Sequence, residues 1–186
     1  MKVLPPVTFI EPRLEGLRPG SRTYFEVQRK LINERPRVRA CYEAWYTNFL
    51  EDEATVLQEK KGILLEIGCG ASFLEEMVDG LVKSDISEGL ADCVMRAEMI
   101  PFRDESLSRI TSSAAMGVET DLIESLEEAI RVLKPGGTFE VATYLFLDDA
   151  RTVREFLKTQ SIRNLYMRPT SSDWKVNLED DTGDTP

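Results

Sequence analysis

The stretch GILLEIGCGASFLEEMVDGLVKSD, residues 62–85, decides the fold. Ile63, Leu64, Leu65 and Ile67 run straight into Gly68-Cys69-Gly70. That order reads as a buried parallel strand followed by a turn where backbone closely approaches something. Gly68 and Gly70 permit the approach because they carry no Cβ. A short helical pattern follows, and the free N–H groups at its start would face an anionic or polar ligand. Leu81 and Val82 then open a second apolar segment that closes on Asp85. Ligands of open α/β sheets lie at the carboxyl ends of strands, and an acid there can accept hydrogen bonds from both hydroxyls of a ribose. The stretch predicts a nucleoside-containing ligand.

Downstream, residues 92–96 read as a short third strand, residues 107–113 as a fourth and residues 138–144 as a fifth. Asp121 with Glu124 makes a capping box before a helix whose one face carries Leu122, Leu126, Ala129, Ile130 and Leu133. Lys134-Pro135-Gly136-Gly137 stops that helix, since proline cannot continue it and glycine supplies the exit. A helix over residues 148–159 comes next, and residues 162–167 and 174–178 pair as a closing hairpin. Upstream, prolines and Gly20 break up the first twenty residues. Ser21 caps a helix to about Asn33, with Tyr24, Val27 and Leu31 on one side. Pro36 opens a second helix to about Gln58, with Val38, Cys41, Tyr42, Trp45, Phe49 and Leu50 at helical spacing. One of its aromatics, Tyr42 or Tyr46, is a candidate for closing over the ligand. Strands alternating with helices mean an open, mostly parallel α/β sheet with helices on both faces. The expected division is an N-terminal helical region (1–60), an α/β domain (61–178) and an acidic, disordered tail (179–186).

Composition narrows the function. The chain has 186 residues and a net charge of −10, enough for one domain with a proper core and adverse to a nucleic-acid partner. No apolar run approaches the roughly 20 residues of a membrane helix, and the N-terminus lacks signal-peptide character. Cys41, Cys69 and Cys93 are odd in number and lack metal-type spacing, which fits a reducing cytoplasm and no metal centre. There is no histidine, so His-based general bases and triads are excluded.

Four blocks in this order resemble the class I S-adenosylmethionine-dependent methyltransferases, in particular the type 11 domain: LLEIGCG, the acid of SDIS, RAEMIPFRDESLSRITSS and EEAIRVLKPGGTFEVATY. The resemblance covers residues 62–144 and implies a Rossmann-like sheet and S-adenosylmethionine as cofactor. It implies that Glu66, Gly68, Cys69 and Gly70 line the methionine part and that Asp85 holds the ribose. Ile86, Ala97, Glu98 and Met99 would frame the adenine, and Ser113 would lie near the transferred methyl. No catalytic residue follows from it. The acceptor it favours is a small molecule, lipid or glycan, because the fourth strand ends in Ser-Ala-Ala and lacks the Asn/Asp-Pro-Pro-Tyr type of motif. The chain departs from the pattern at Ser72, where a third glycine is usual, and at Arg96, where an acid is usual. The short gap from Gly70 to Asp85 implies a clipped first helix. The segment after the fifth strand is also shorter than usual, which implies a fold shortened at the C-terminus; with Arg96 and Ser72 it supports a second reading, a catalytically inactive relative that binds the cofactor or a partner. A nicotinamide-dependent oxidoreductase would want glycine where Phe73 stands.

Overall fold

A computed structural model describes residues 11–50, 62–113, 115–116, 121–142, 147–160, 166–167 and 176–177. The chain divides into two compact units, Val7–Tyr144 and Met1–Pro6 with Leu145–Pro186. The first unit holds α1 (Arg22–Glu34), α2 (Pro36–Leu50), α3 (Leu122–Val132) and five strands. These are β1 (Ile63–Ile67), β2 (Leu81–Asp85), β3 (Cys93–Val94), β4 (Leu107–Ser113) and β5 (Leu133–Ala142). The second unit holds α4 (Leu147–Thr159) and the antiparallel pair β6 (Tyr166–Met167) and β7 (Val176–Asn177).

The five strands form one parallel sheet in the order β3-β2-β1-β4-β5. The order reverses between β1 and β4, which puts a crevice at their carboxyl ends. Register assigns the two faces. Leu65 pairs with Val82 and Ile110, and Ile110 with Phe139. This apolar row packs with Ile67, Met116, Ala129 and Val132 in a core under α3. The opposite row runs Lys83, Glu66, Thr111, Glu140. Beside it, Leu64 and Leu81 pack against a second core of Leu31, Ile32, Tyr42, Tyr46, Phe73 and Leu74 from α1, α2 and the segment after β1.

Local chemistry explains the boundaries. Ser21 Oγ accepts from Tyr24 N and opens α1. Asp121 Oδ1 accepts from the Ile123 and Glu124 N–H groups at 2.9 and 3.0 Å and opens α3. The clipped first helix is a single 3₁₀ turn, Leu74–Glu76, with Phe73 at its N-cap, and Ser72 Oγ just before it accepts from Leu74 N at 3.1 Å. Ser72 thus closes a local turn ahead of this helix and does not occupy its cap position. After α3 the chain joins the sheet earlier than the expected start of β5 at residue 138. Leu133 already pairs with Leu107, and the register shifts before Arg109 meets Thr138, so residues 134–137 form an irregular bulge within β5. The end of the expected α2, residues 51–58, the end of β5 at 143–144 and the acidic tail lie outside the described residues. No described helix is long and apolar enough to cross a membrane.

Candidate functional site

Three strand ends are tied together at the carboxyl edge. Gly70 N donates to Asp85 Oδ2 at 2.9 Å, and Ser87 N donates to Asp85 Oδ1 at 2.8 Å. Cys69 N donates to Ser84 O at 2.9 Å and Met95 N to Asp85 O at 3.1 Å. Asp85, though buried, thus binds the glycine turn to its own exit turn while each oxygen keeps a further lone pair. Ser87 was not a sequence candidate. The signal for it was the acid two residues before it, the spacing at which Asp closes a turn on the backbone.

Both glycines have positive φ, 70° at Gly68 and 45° at Gly70. Their bare sides are met by the chain itself. A Cβ at Gly68 would sit 2.0 Å from the Ala115 Cβ, on the segment after β4. A Cβ at Gly70 would sit 2.7 Å from the ring of Phe25. The close approach at the turn is thus made by the chain itself, and at the switch point between β1 and β4 it involves Ala115. Phe25 is a contact that helix periodicity could not reveal, because it stands one position off the buried Tyr24–Gln28–Leu31 stripe.

Tyr42 and Tyr46, the candidates for closing over a ligand, are buried around Phe73, with ring centroids 6.4 and 5.2 Å from it. Tyr42 accepts from Gln28 Nε2 at 3.0 Å, and burial pushes its hydroxyl up to about 12. The Arg39 guanidinium lies 4.4 Å from the Phe73 ring centre. Arg29 bonds Glu75 and Glu76, each at 2.9 Å, and Lys83 bonds Glu75 at 2.9 Å. These contacts bind α1 and α2 to the glycine turn.

Glu66 lies beneath that turn, 1 % exposed, on the polar row. Neither of its carboxylate oxygens has a hydrogen-bond partner, although the Ser72 hydroxyl is near enough to favour the charged form. Burial dominates and pushes the carboxyl up to about 7. Burial likewise pushes the Cys69 thiol up to about 12, so it is no nucleophile at neutral pH. Beside Ser72 and Glu75 opens a cavity of about 450 Å³, also lined by Phe25, Arg29, Gly70 and Lys83.

At the far side of the edge, Ile86 and Met99 are apolar yet 52 % and 70 % exposed. Ala97 is buried between them in sequence. Arg96 turns outward and pairs with Glu98 Oε1 at 3.1 Å. The same oxygen accepts from Asp121 N at 3.2 Å, so Glu98 also braces the start of α3. Arg131 Nη2 donates to Ile100 O at 2.9 Å and Glu128 Oε2 accepts from Ile100 N at 2.9 Å, which pins the next part of this loop to α3. Ser113 ends β4 half-buried, one residue beyond the Ile67–Ser112 pair.

Comparison with known proteins agrees with this frame. Residues 65–141 match the family model described as a methyltransferase domain. A Danio rerio protein named arginine-hydroxylase NDUFAF5, mitochondrial, is 32% identical over 93 residues, covering 41% of this chain and 29% of that protein. The chain thus spans less than a third of that relative's length. A Methanococcus maripaludis protein assigned as an S-adenosyl-L-methionine-dependent methyltransferase superposes with a TM-score of 0.58 at 11% identity. The match covers 82% of this chain and 90% of that one, and is a likeness of fold. Residues 65–141, from β1 to β5, thus resemble a methyltransferase domain, and the sheet they build has the Rossmann-like fold of the class I methyltransferases.

Proposed function

We propose that the chain binds S-adenosylmethionine along the carboxyl edge of the sheet and transfers its methyl group to a small-molecule, lipid or glycan acceptor. Glu66, Gly68, Cys69 and Gly70 would hold the amino-acid end, Asp85 the ribose, and Ile86, Ala97, Glu98 and Met99 the adenine, with Ser113 near the methyl. The observation that carries the reading is the Gly70–Asp85 hydrogen bond, which joins the glycine turn to the strand-end acid in one cradle. Two others support the fit. The partnerless Glu66 oxygens leave acceptor capacity beneath the turn, and Ile86 and Met99 offer exposed apolar surface to a flat base.

When bound, the cofactor supplies an already activated sulfonium methyl. The work left to the chain is to orient the acceptor and exclude water, which a protein without histidine can do. Asp85 fixes the ribose through its remaining lone pairs, and the Arg96–Glu98 pair holds the adenine loop against α3.

A second reading is a cofactor-binding relative without methyl transfer. Arg96 in place of an acceptor favours it, and so does a relative whose name assigns a hydroxylase activity to a protein with a similar stretch. Calorimetry with S-adenosylmethionine, S-adenosylhomocysteine and NAD in parallel tests binding, and mass analysis of candidate acceptors tests transfer.

Asp85→Ala removes charge-assisted bonds of about 1.5–3 kcal/mol each, so affinity should fall at least about tenfold, with Asp85→Asn intermediate. A 2′-deoxy analogue should be discriminated less by Asp85→Ala than by the parent. Equal discrimination would put the ribose elsewhere.

A further inference from the structure

Phe25 stands in the first turns of α1, outside the buried core but packed against it. Three of its ring atoms would lie within 2.7 to 3.0 Å of a Cβ on Gly70, so the ring rests on the side of the turn that glycine leaves bare. The start of α1 reaches the same edge twice more. Ser87 Oγ donates to Gly20 O at 3.5 Å, and a Cβ on Gly89 would lie 2.8 Å from the Arg22 guanidinium. Asp85 is already served by the Gly70 and Ser87 N–H groups. The glycine-turn part of the edge is thus covered by the chain's own groups.

The ring also borders the cavity of about 450 Å³ beside Arg29 and Ser72. A cavity of about 150 Å³ is enough to hold benzene. The ring therefore has room to turn aside by a side-chain rotation, while Leu31 and Ile32, 0% and 1% exposed, keep α1 anchored. Building on the proposed cofactor site, we infer that Phe25 is a gate over the glycine turn. Its ring holds the face of Gly70 that the cofactor's amino-acid end needs, and swings into the adjoining cavity to admit it.

A closed gate lowers apparent affinity by the fraction of time it stands open, and a side chain that only blocks entry leaves the bound state unchanged. Calorimetry and stopped-flow binding of S-adenosylhomocysteine to the full chain compare the parent with Phe25→Ala and Phe25→Leu. Phe25→Ala should bind about threefold to tenfold tighter, the gain lying in the association rate, with Phe25→Leu between them. Circular dichroism melts check that both variants fold, and Phe25→Leu keeps most of the packing. Weaker binding with faster dissociation would make the ring a wall of the bound state and overturn the gate while the cofactor site stands. Unchanged affinity and rates would overturn the gate alone. No heat from any of the three proteins at millimolar ligand would sink the cofactor site and the gate with it.

Discussion

The two faces of the sheet are built on different physics. Under α3, the row Val82, Leu65, Ile110, Phe139 is closed by Ala129, Val132 and Met116, and burial of apolar area holds it together. Under α1 and α2, the row Lys83, Glu66, Thr111, Glu140 places charged and hydroxyl groups where a doubly covered parallel sheet ordinarily has Val, Ile and Leu. The first face depends on volume and is indifferent to pH. The second depends on which groups are ionised and which are paired. Clipping the first helix to one 3₁₀ turn left that face to α1, α2 and ion pairs around Glu75 and Glu76. Phe73, ringed by Tyr42, Tyr46 and the Arg39 guanidinium, is the apolar pin through this otherwise polar contact.

The largest expected effect lies on the apolar face. Ile110 is 0 % exposed, and Ile110→Ala loses transfer energy and leaves a cavity, at a cost of about 2–5 kcal/mol. Urea unfolding at pH 5 and at pH 8 should give the same loss. A loss that changes with pH would mean the two faces are coupled and the contrast between them is false.

Next in size is Glu66. Its folded pKa of about 7 lies above the ordinary 4.5 because burial penalises the charge. Below the unfolded pKa the carboxyl is protonated in both states and costs nothing. As pH rises toward 7 the unfolded chain releases the proton while the folded chain keeps it, so stability falls by about 3 kcal/mol and then levels. Glu66→Gln should match the parent at pH 4 and exceed it at pH 8, flattening this part of the profile. Identical pH slopes in parent and variant would show that Glu66 is charged and compensated. The groups that act on it are Ser72, Glu75, Lys83 and Arg29.

This contrast also separates what the sequence discloses from what it hides. β1, β2, β4 and α3 are legible because strand runs, glycines and the Asp121 cap are local signals that tertiary structure kept. The clipped helix is legible too, since fifteen positions from Gly70 to Asp85 leave no room for a long one. The Phe25–Gly70 contact is not, because it depends on how α1 lies across a segment more than forty residues away. Nor is the state of Glu66. Strand alternation gives its face, but its lack of a partner follows from Arg29 and Lys83 being drawn to Glu75. Residues 134–137 mislead for another reason. Pro135 and Gly136 end the helix as expected, yet Leu133 has already joined the sheet, so the breaker becomes a bulge.

The smallest expected effect sits at the edge between the faces, and it bears on whether the loop proposed to hold the adenine belongs to the apolar or the polar regime. Arg96 is 60% exposed in its side chain and bonds Glu98, whose same oxygen also accepts from the first residue before α3. Arginine can only donate, so it cannot accept the adenine amino group that an acid at this position would. Arg96→Asp restores an acceptor worth about 0.5–1.5 kcal/mol but removes an exposed pair worth about 0–1 kcal/mol. It also sets two carboxylates close together at the α3 cap. The gains and losses nearly cancel, and affinity for S-adenosylhomocysteine should rise by only about twofold to threefold. The analogue with a carbonyl in place of the adenine amino group should show no such rise, because it offers no amino donor. If both ligands gain equally, the variant acts through net charge and the base is read elsewhere. A parent that binds neither ligand at millimolar concentration, beside an Arg96→Asp variant that binds, would instead identify Arg96 as an obstruction and favour the inactive relative over the enzyme.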